Sequence, residues 1–191
     1  LGQVMIRNRR EDTDIDFTDR IIDTRTFEPS AAEKDLYNAV TDYVQEAYSQ
    51  DRGQKLVLML LQKEVVSSPA ALKQTVLKQL NENNELTHKS ELEELVEKID
   101  AIDTVTKEER LFDIVEEARD HVEMGRVIVF TQFRPTQRRV LDALEKQGYT
   151  THAFHGGHSS EEKEEIVDRF REEGGALVST DPMNEGRNPQ L

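Results

Sequence analysis

The chain has no cysteine, which removes disulfide frameworks and thiolate metal sites from consideration. It also lacks a long apolar run. The longest, Leu56 to Leu61, falls far short of the roughly 20 residues that a membrane helix needs. No signal-peptide pattern opens the chain, and a start at Leu1 rather than Met is expected of a piece cut from something longer. The default setting is the cytoplasm. Basic charge is scarce as well: Lys and Arg total 25 against 39 Asp and Glu, a net charge of −14. That balance counts against non-specific nucleic-acid binding by the chain as a whole. A path for a polyanion has to be a local basic stripe on an acidic body. Such an acidic surface fits adaptation to high salt; two acidic helical faces explain it equally well.

What is present suits one domain, or one domain with a large insertion, at 191 residues. Arg7, Arg9 and Arg10 stand beside the acidic run Glu11 to Asp16 and read as a charged linker. IIDTRTF (21–27) mixes β-branched and polar residues as a strand does, and Pro29 closes it. From residue 30 to 125 the text is helical. Ser30 with Glu33 forms a capping-box pattern ahead of an apolar stripe, Leu36, Tyr37, Val40, Tyr43, Val44 and Ala47. LVLMLL (56–61) is apolar all round, which predicts a helix central to a helical subcore. Ser68 and Pro69 restart a helix, Ser90 with Glu93 opens another, and Thr106 with Glu109 opens the last. Leu111, Phe112, Val115 and Val122 share its face.

The remaining residues change rhythm. VIVFT (127–131), THAF (151–154) and ALVST (176–180) recur about every 25 residues, separated by helix-like text ending in Gly148 and in Gly174-Gly175. This βα alternation predicts a parallel sheet whose ligands sit at the carboxyl ends of its strands. Those ends carry VIVFTQF, HAFHGGHSS and STDPMNEGRNPQ.

In this order and spacing the three motifs resemble the second motor lobe of superfamily-two helicases, nearest to the Swi/Snf-like DNA translocases. The run RTFEPSAAEKDLYNAVTDYVQE is similar to that family's lobe entry, and the helical block to its helical protrusion. The resemblance implies a partial RecA-like α/β fold: an entry over 1–29, a helical insertion over 30–125 and a C-terminal lobe over 126–191, truncated after the fifth motif. It implies a DNA-facing set of Thr131, Gln132, Arg134, His155, Gly156, Ser179, Thr180 and Asp181. Glu185, Gly186, Arg187 and Asn188 fall toward the cleft between the lobes, where they would couple ATP to movement. Small residues at such ends let the backbone approach a phosphate closely. Arg138 and Arg139 lie near the same helix start.

The implied partners are duplex DNA and a first lobe of the same chain; the implied cofactors, ATP and Mg²⁺, belong mainly to that first lobe. The phosphate loop, the acidic Mg²⁺-binding box and the basic sixth motif are not in these 191 residues, so the chain alone is expected to turn over no ATP and to supply no catalytic residue. Pro182 and Pro189 depart from the family's pattern, and Pro182 removes one backbone amide. They are what a non-motor scaffold reading would cite. A strand-separating DNA or RNA helicase would share the three motifs. His155 and His158 lack a third ligand, so no metal site is expected there. An uncovered sheet edge makes self-association plausible.

Overall fold

The computed structural model describes residues 22–50, 55–82, 88–121 and 125–180. Five helices come first: α1 (Ala31–Gln50), α2 (Lys55–Ser67), α3 (Pro69–Glu82), α4 (Lys89–Asp100) and α5 (Thr106–His121). The alternating part follows as β1 (Val127–Phe130), α6 (Arg134–Lys146), β2 (Thr151–Phe154), α7 (Ser160–Glu173) and β3 (Ala176–Ser179). The three strands are parallel in the order β1-β3-β2. The chain steps two places across from β1 to β2, then back one place to β3. With right-handed crossovers, a reversal of direction puts the two connecting helices on opposite faces.

The packing shows that arrangement. Val127, Val129, Ala176 and Val178 meet Val115 of α5 and Val140 and Leu144 of α6 on one face. Ile128, Phe154 and Leu177 meet Ile166 and Phe170 of α7 on the other. Alternate residues of one strand thus feed two separate cores, as a pleated strand buried on both sides must. The helical block has its own core, with Leu36, Val40, Leu58, Leu72, Val76 and Leu95 at its centre. Fully burying each leucine stabilises by about 2 kcal/mol. The change from one core to the other falls before α5, whose Leu111, Phe112 and Val115 belong to the sheet.

Two expectations from sequence are corrected. Residues 22–30 form no strand. A strand needs a neighbouring edge, and the contacts of this segment run to helices instead: Arg25 pairs with Glu117 of α5 and Glu28 with Lys34 of α1. Ile21, the first residue of the expected strand, lies outside the described residues. Nor is α2 buried all round. Leu58, Leu61 and Glu64 are buried, whereas Leu56 is 81% exposed and Met59 and Leu60 are also exposed. α2 packs against α1 and α3 only on one side, so its outer leucines face solvent. Among the described residues, no helix is long and apolar enough to cross a membrane.

Glu64 is a buried acid inside this block. Its Oε1 accepts a hydrogen bond from Thr75 Oγ1 at 2.8 Å, while its buried Oε2 has no partner. Burial pushes its carboxyl above the usual range, offset only in part by the Thr75 hydroxyl. The folded protein then holds a proton that the unfolded chain releases. Stability therefore falls as pH rises from the ordinary carboxylate range through the raised one. Replacing Glu64 by Met removes the unpartnered oxygen and leaves the Thr75 hydroxyl free to bond the carbonyl one turn back. At pH 7 this variant should be more stable by about 1–2 kcal/mol, a Tm gain of roughly 3–6 °C. The gain should shrink at pH 4. Thermal melts at both values check it; a lower Tm at pH 7 shows that the carboxylate is needed.

Candidate nucleic-acid interface

Phe130, Ser179 and Phe154 stand level with one another across the sheet, the last register positions of β1, β3 and β2. The residues just beyond them form a rim. Its backbone is held by two hydrogen bonds that extend the ladder: Thr131 N donates to Ser179 O at 2.9 Å, and Thr180 N donates to Phe154 O at 3.0 Å. Thr131, His155 and Thr180 are therefore brought together, with Gly156 one residue further along. Gln132 and Gly156 are exposed, and Thr131 and Thr180 are half-buried. Ser179 is fully buried. At this level it is a wall of the rim, and its carbonyl fixes Thr131.

Two helix starts complete the rim. α6 begins at Arg134 with Pro135 in its first turn, where proline's missing N–H costs nothing. This places the exposed Arg134 beside the end of β2, where its Nη2 donates to His155 Nε2 at 2.9 Å. At the other start, Ser159 caps α7 with a complete capping box: Ser159 Oγ accepts from Glu162 N, and Glu162 Oε2 accepts from Ser159 N. Just before it, His158 is held by His155: its N donates to His155 O at 3.1 Å, its Nδ1 accepts from His155 N at 3.3 Å, and the two rings stack at 3.6 Å between centroids. Burial, then the nearby His158 and Arg134, hold the His155 imidazole below its ordinary range. His155 is thus neutral at pH 7. Its Nε2 faces a guanidinium that can only donate, so the proton sits on Nδ1. That buried Nδ1 has no partner. Gly157 lies over it; a Cβ there would stand 3.2 Å from Nδ1 and 3.3 Å from Arg134 Nη1. The arrangement offers a cation and close backbone approach at one place, which is what a phosphate oxygen requires.

A residue missed from sequence underlies this rim. Gln137 is buried, and its Nε2 donates to Phe154 O at 2.9 Å and to Val178 O at 2.7 Å. One amide thereby ties the carboxyl ends of β2 and β3. Its neighbour Thr136 bonds the hydroxyls of Ser67 and Ser68 at 3.0 and 2.7 Å, joining α6 to the turn between α2 and α3. A polar pair at 136 and 137 on an otherwise inward helical face was the available signal. Arg139 is engaged elsewhere, paired with Glu108 of α5. Asp181, Glu185, Gly186, Arg187 and Asn188, together with Pro182 and Pro189, lie outside the described residues. A separate cavity of about 480 Å³, lined by Phe27, Leu36, Val65, Ile102 and Val105 among others, is apolar and does not include the strand ends.

Residues 106–190 match the helicase conserved C-terminal domain; the match begins where α5 begins. An uncharacterized ATP-dependent helicase of Bacillus subtilis is 28% identical over 194 residues, covering 100% of this chain and 34% of its own length. The chain thus spans about a third of that relative. Among solved structures, the C-terminal domain of a Sulfolobus solfataricus SWI2/SNF2 ATPase aligns with a TM-score of 0.55 at 19% identity, over 82% of this chain and 61% of that one. The Pyrococcus furiosus Hef helicase domain aligns with a TM-score of 0.54 at 15% identity, over 78% and 43% respectively. At these identities the likeness is one of fold.

Proposed function

We propose, from the match of residues 106–190 to the helicase conserved C-terminal domain and from the fold shared with the C-terminal domain of a SWI2/SNF2 ATPase, that the chain is the DNA-gripping half of an ATP-driven duplex translocase. The observation that carries this reading is the level rim of three strand ends with the Arg134–His155 pair beside the end of β2. The hydroxyls of Thr131 and Thr180, the side chain of Gln132 and the backbone of Gly156 offer donors to successive phosphates of one strand, His155 holds Arg134 in place, and Arg134 supplies the positive charge. Ser179 acts from behind by holding Thr131 in place. In this proposal the parent is a cytoplasmic protein whose ATP and Mg²⁺ are held mainly by a first lobe, and Glu185, Gly186, Arg187 and Asn188 would couple them to movement. The described residues supply grip and positioning.

Fluorescence anisotropy with a labelled duplex of about 20 base pairs tests the reading. The expected Kd is micromolar or weaker, with log Kd rising steeply against log salt between 50 and 200 mM. Arg134→Ala should weaken binding and reduce the slope by about one counterion. A slope near zero, or no effect of Arg134→Ala, overturns the interface. Parallel single-stranded DNA and RNA arms address the strand-separating alternative, since tighter binding to either would favour it over a duplex translocase.

A further inference from the structure

Away from the strand ends, Glu46 near the end of α1 faces His88 and Glu91 at the start of α4, with one ligand atom from each lying within 4.8 Å of the other two. We propose that these three side chains form a binding site for a divalent transition ion, zinc by their chemistry, which clips the far end of the α1–α4 pair. His88 and Glu91 are three residues apart at a helix start, so they share one face. Glu46 arrives from the neighbouring helix. Two carboxylates and a neutral imidazole carry two negative charges, matching a dication, and an imidazole ligand favours zinc over magnesium or calcium.

The surroundings hold these groups for the task. The Tyr43 ring meets the His88 ring edge-on at 6.0 Å, and Ser90 Oγ donates to Glu91 Oε2 at 2.8 Å. Such outer contacts orient ligands. Without an ion, His88 Nδ1 meets Glu91 Oε1 only at 3.3 Å. At the opposite end the same two helices are tied by Lys98 and Asp35 at 2.7 Å. At this end Glu46 and Glu91 each place a carboxylate oxygen within reach of one ion. Three donors on a tetrahedral zinc ion stand about 3.4 Å apart. The donor atoms lie within 4.8 Å of one another, so closing takes at most about 1.4 Å, which rotamer changes of the exposed Glu46 and half-exposed Glu91 supply. Water completes the coordination.

Zinc chloride titrated into the 191-residue chain at pH 7.5 tests the site. One equivalent should bind, and zinc at 100 times its Kd should raise Tm by roughly 5–10 °C. Millimolar magnesium should leave Tm unchanged. Glu46→Gln changes an exposed position and should leave the fold intact while weakening zinc at least tenfold; His88→Ala should abolish the shift. The stacked pair at the rim is the competing site, and His158→Ala separates the two. No zinc-dependent shift in the unaltered chain, or a shift that survives Glu46→Gln and His88→Ala but disappears in His158→Ala, overturns the proposal.

Discussion

Replacing Gly175 by alanine should cost about 4 kcal/mol and lower Tm by roughly 8–15 °C, a large effect for a single methyl group. Two independent penalties meet at this position. The backbone has φ of +86°, where an L side chain is strained, worth about 1–2 kcal/mol. A Cβ would also stand 2.2 Å from the carbonyl oxygen of Thr150. That oxygen has no freedom to move aside, because it accepts the hydrogen bond from Ala176 N at 2.9 Å that starts the β2–β3 pairing. Gly175 O in turn accepts from Val127 N at 2.9 Å, starting the β1–β3 pairing. The central strand therefore enters the sheet through a point where both ladders begin. Gly148→Ala is the internal control. Its φ is +85° with nothing within 4 Å of the added carbon, so it should lose only the conformational part, about 1–2 kcal/mol. Equal losses in the two variants, measured by denaturant unfolding, would falsify the clash at Thr150.

The same comparison shows which signals a sequence carries. The strands at 127, 151 and 176 were legible because each is a short apolar run between breakers, and helix starts were legible where the capping partner is local to the cap. The helices that opened as expected at Ser30 and Ser68 did so for the same reason: Ser30 Oγ accepts from Glu33 N, and Ser68 Oγ accepts from Ala71 N. Where a distant partner intervened, the local pattern misled. Thr106 and Glu109 look like a capping box, yet Thr106 is already helical. Its N–H and hydroxyl donate instead to the Glu33 carboxylate, 73 residues earlier in the chain. Burial opposes the charge of Glu33, but these bonds and those from Ser30 outweigh it and hold its carboxyl below the usual range. Ser90 does not cap α4 either; the helix begins at Lys89, and the Ser90 hydroxyl donates to Glu91. The solvent-facing leucines of α2 belong to the same class, since composition reports apolarity but not which neighbours exist. At the rim, strand ends and glycines were readable, whereas the Arg134–His155 contact depends on β2 lying two places from β1.

Gln137→Leu should lower stability by about 2–3 kcal/mol and Tm by roughly 5–10 °C, although leucine fits the apolar environment. The loss comes from two carbonyls, Phe154 O and Val178 O, that the buried amide serves at once. Phe154 O keeps its bond from Thr180 N, so the penalty is smaller than that for two fully orphaned groups. Gln137→Glu should be worse at pH 7, because an ionised carboxylate offers no donor to either carbonyl. Its deficit should narrow near pH 4, where a protonated carboxyl regains one. The variants also separate a role in the fold from a role at the rim. Gln137 touches no exposed surface, yet it sets the spacing of the β2 and β3 ends where His155, Gly156 and Thr180 stand. Gln137→Leu, examined well below its Tm, should therefore bind duplex more weakly with an unchanged salt slope, whereas Arg134→Ala lowers the slope. Duplex affinity that survives Gln137→Leu intact would mean that the strand ends are held by the ladder alone, and that the amide serves only stability.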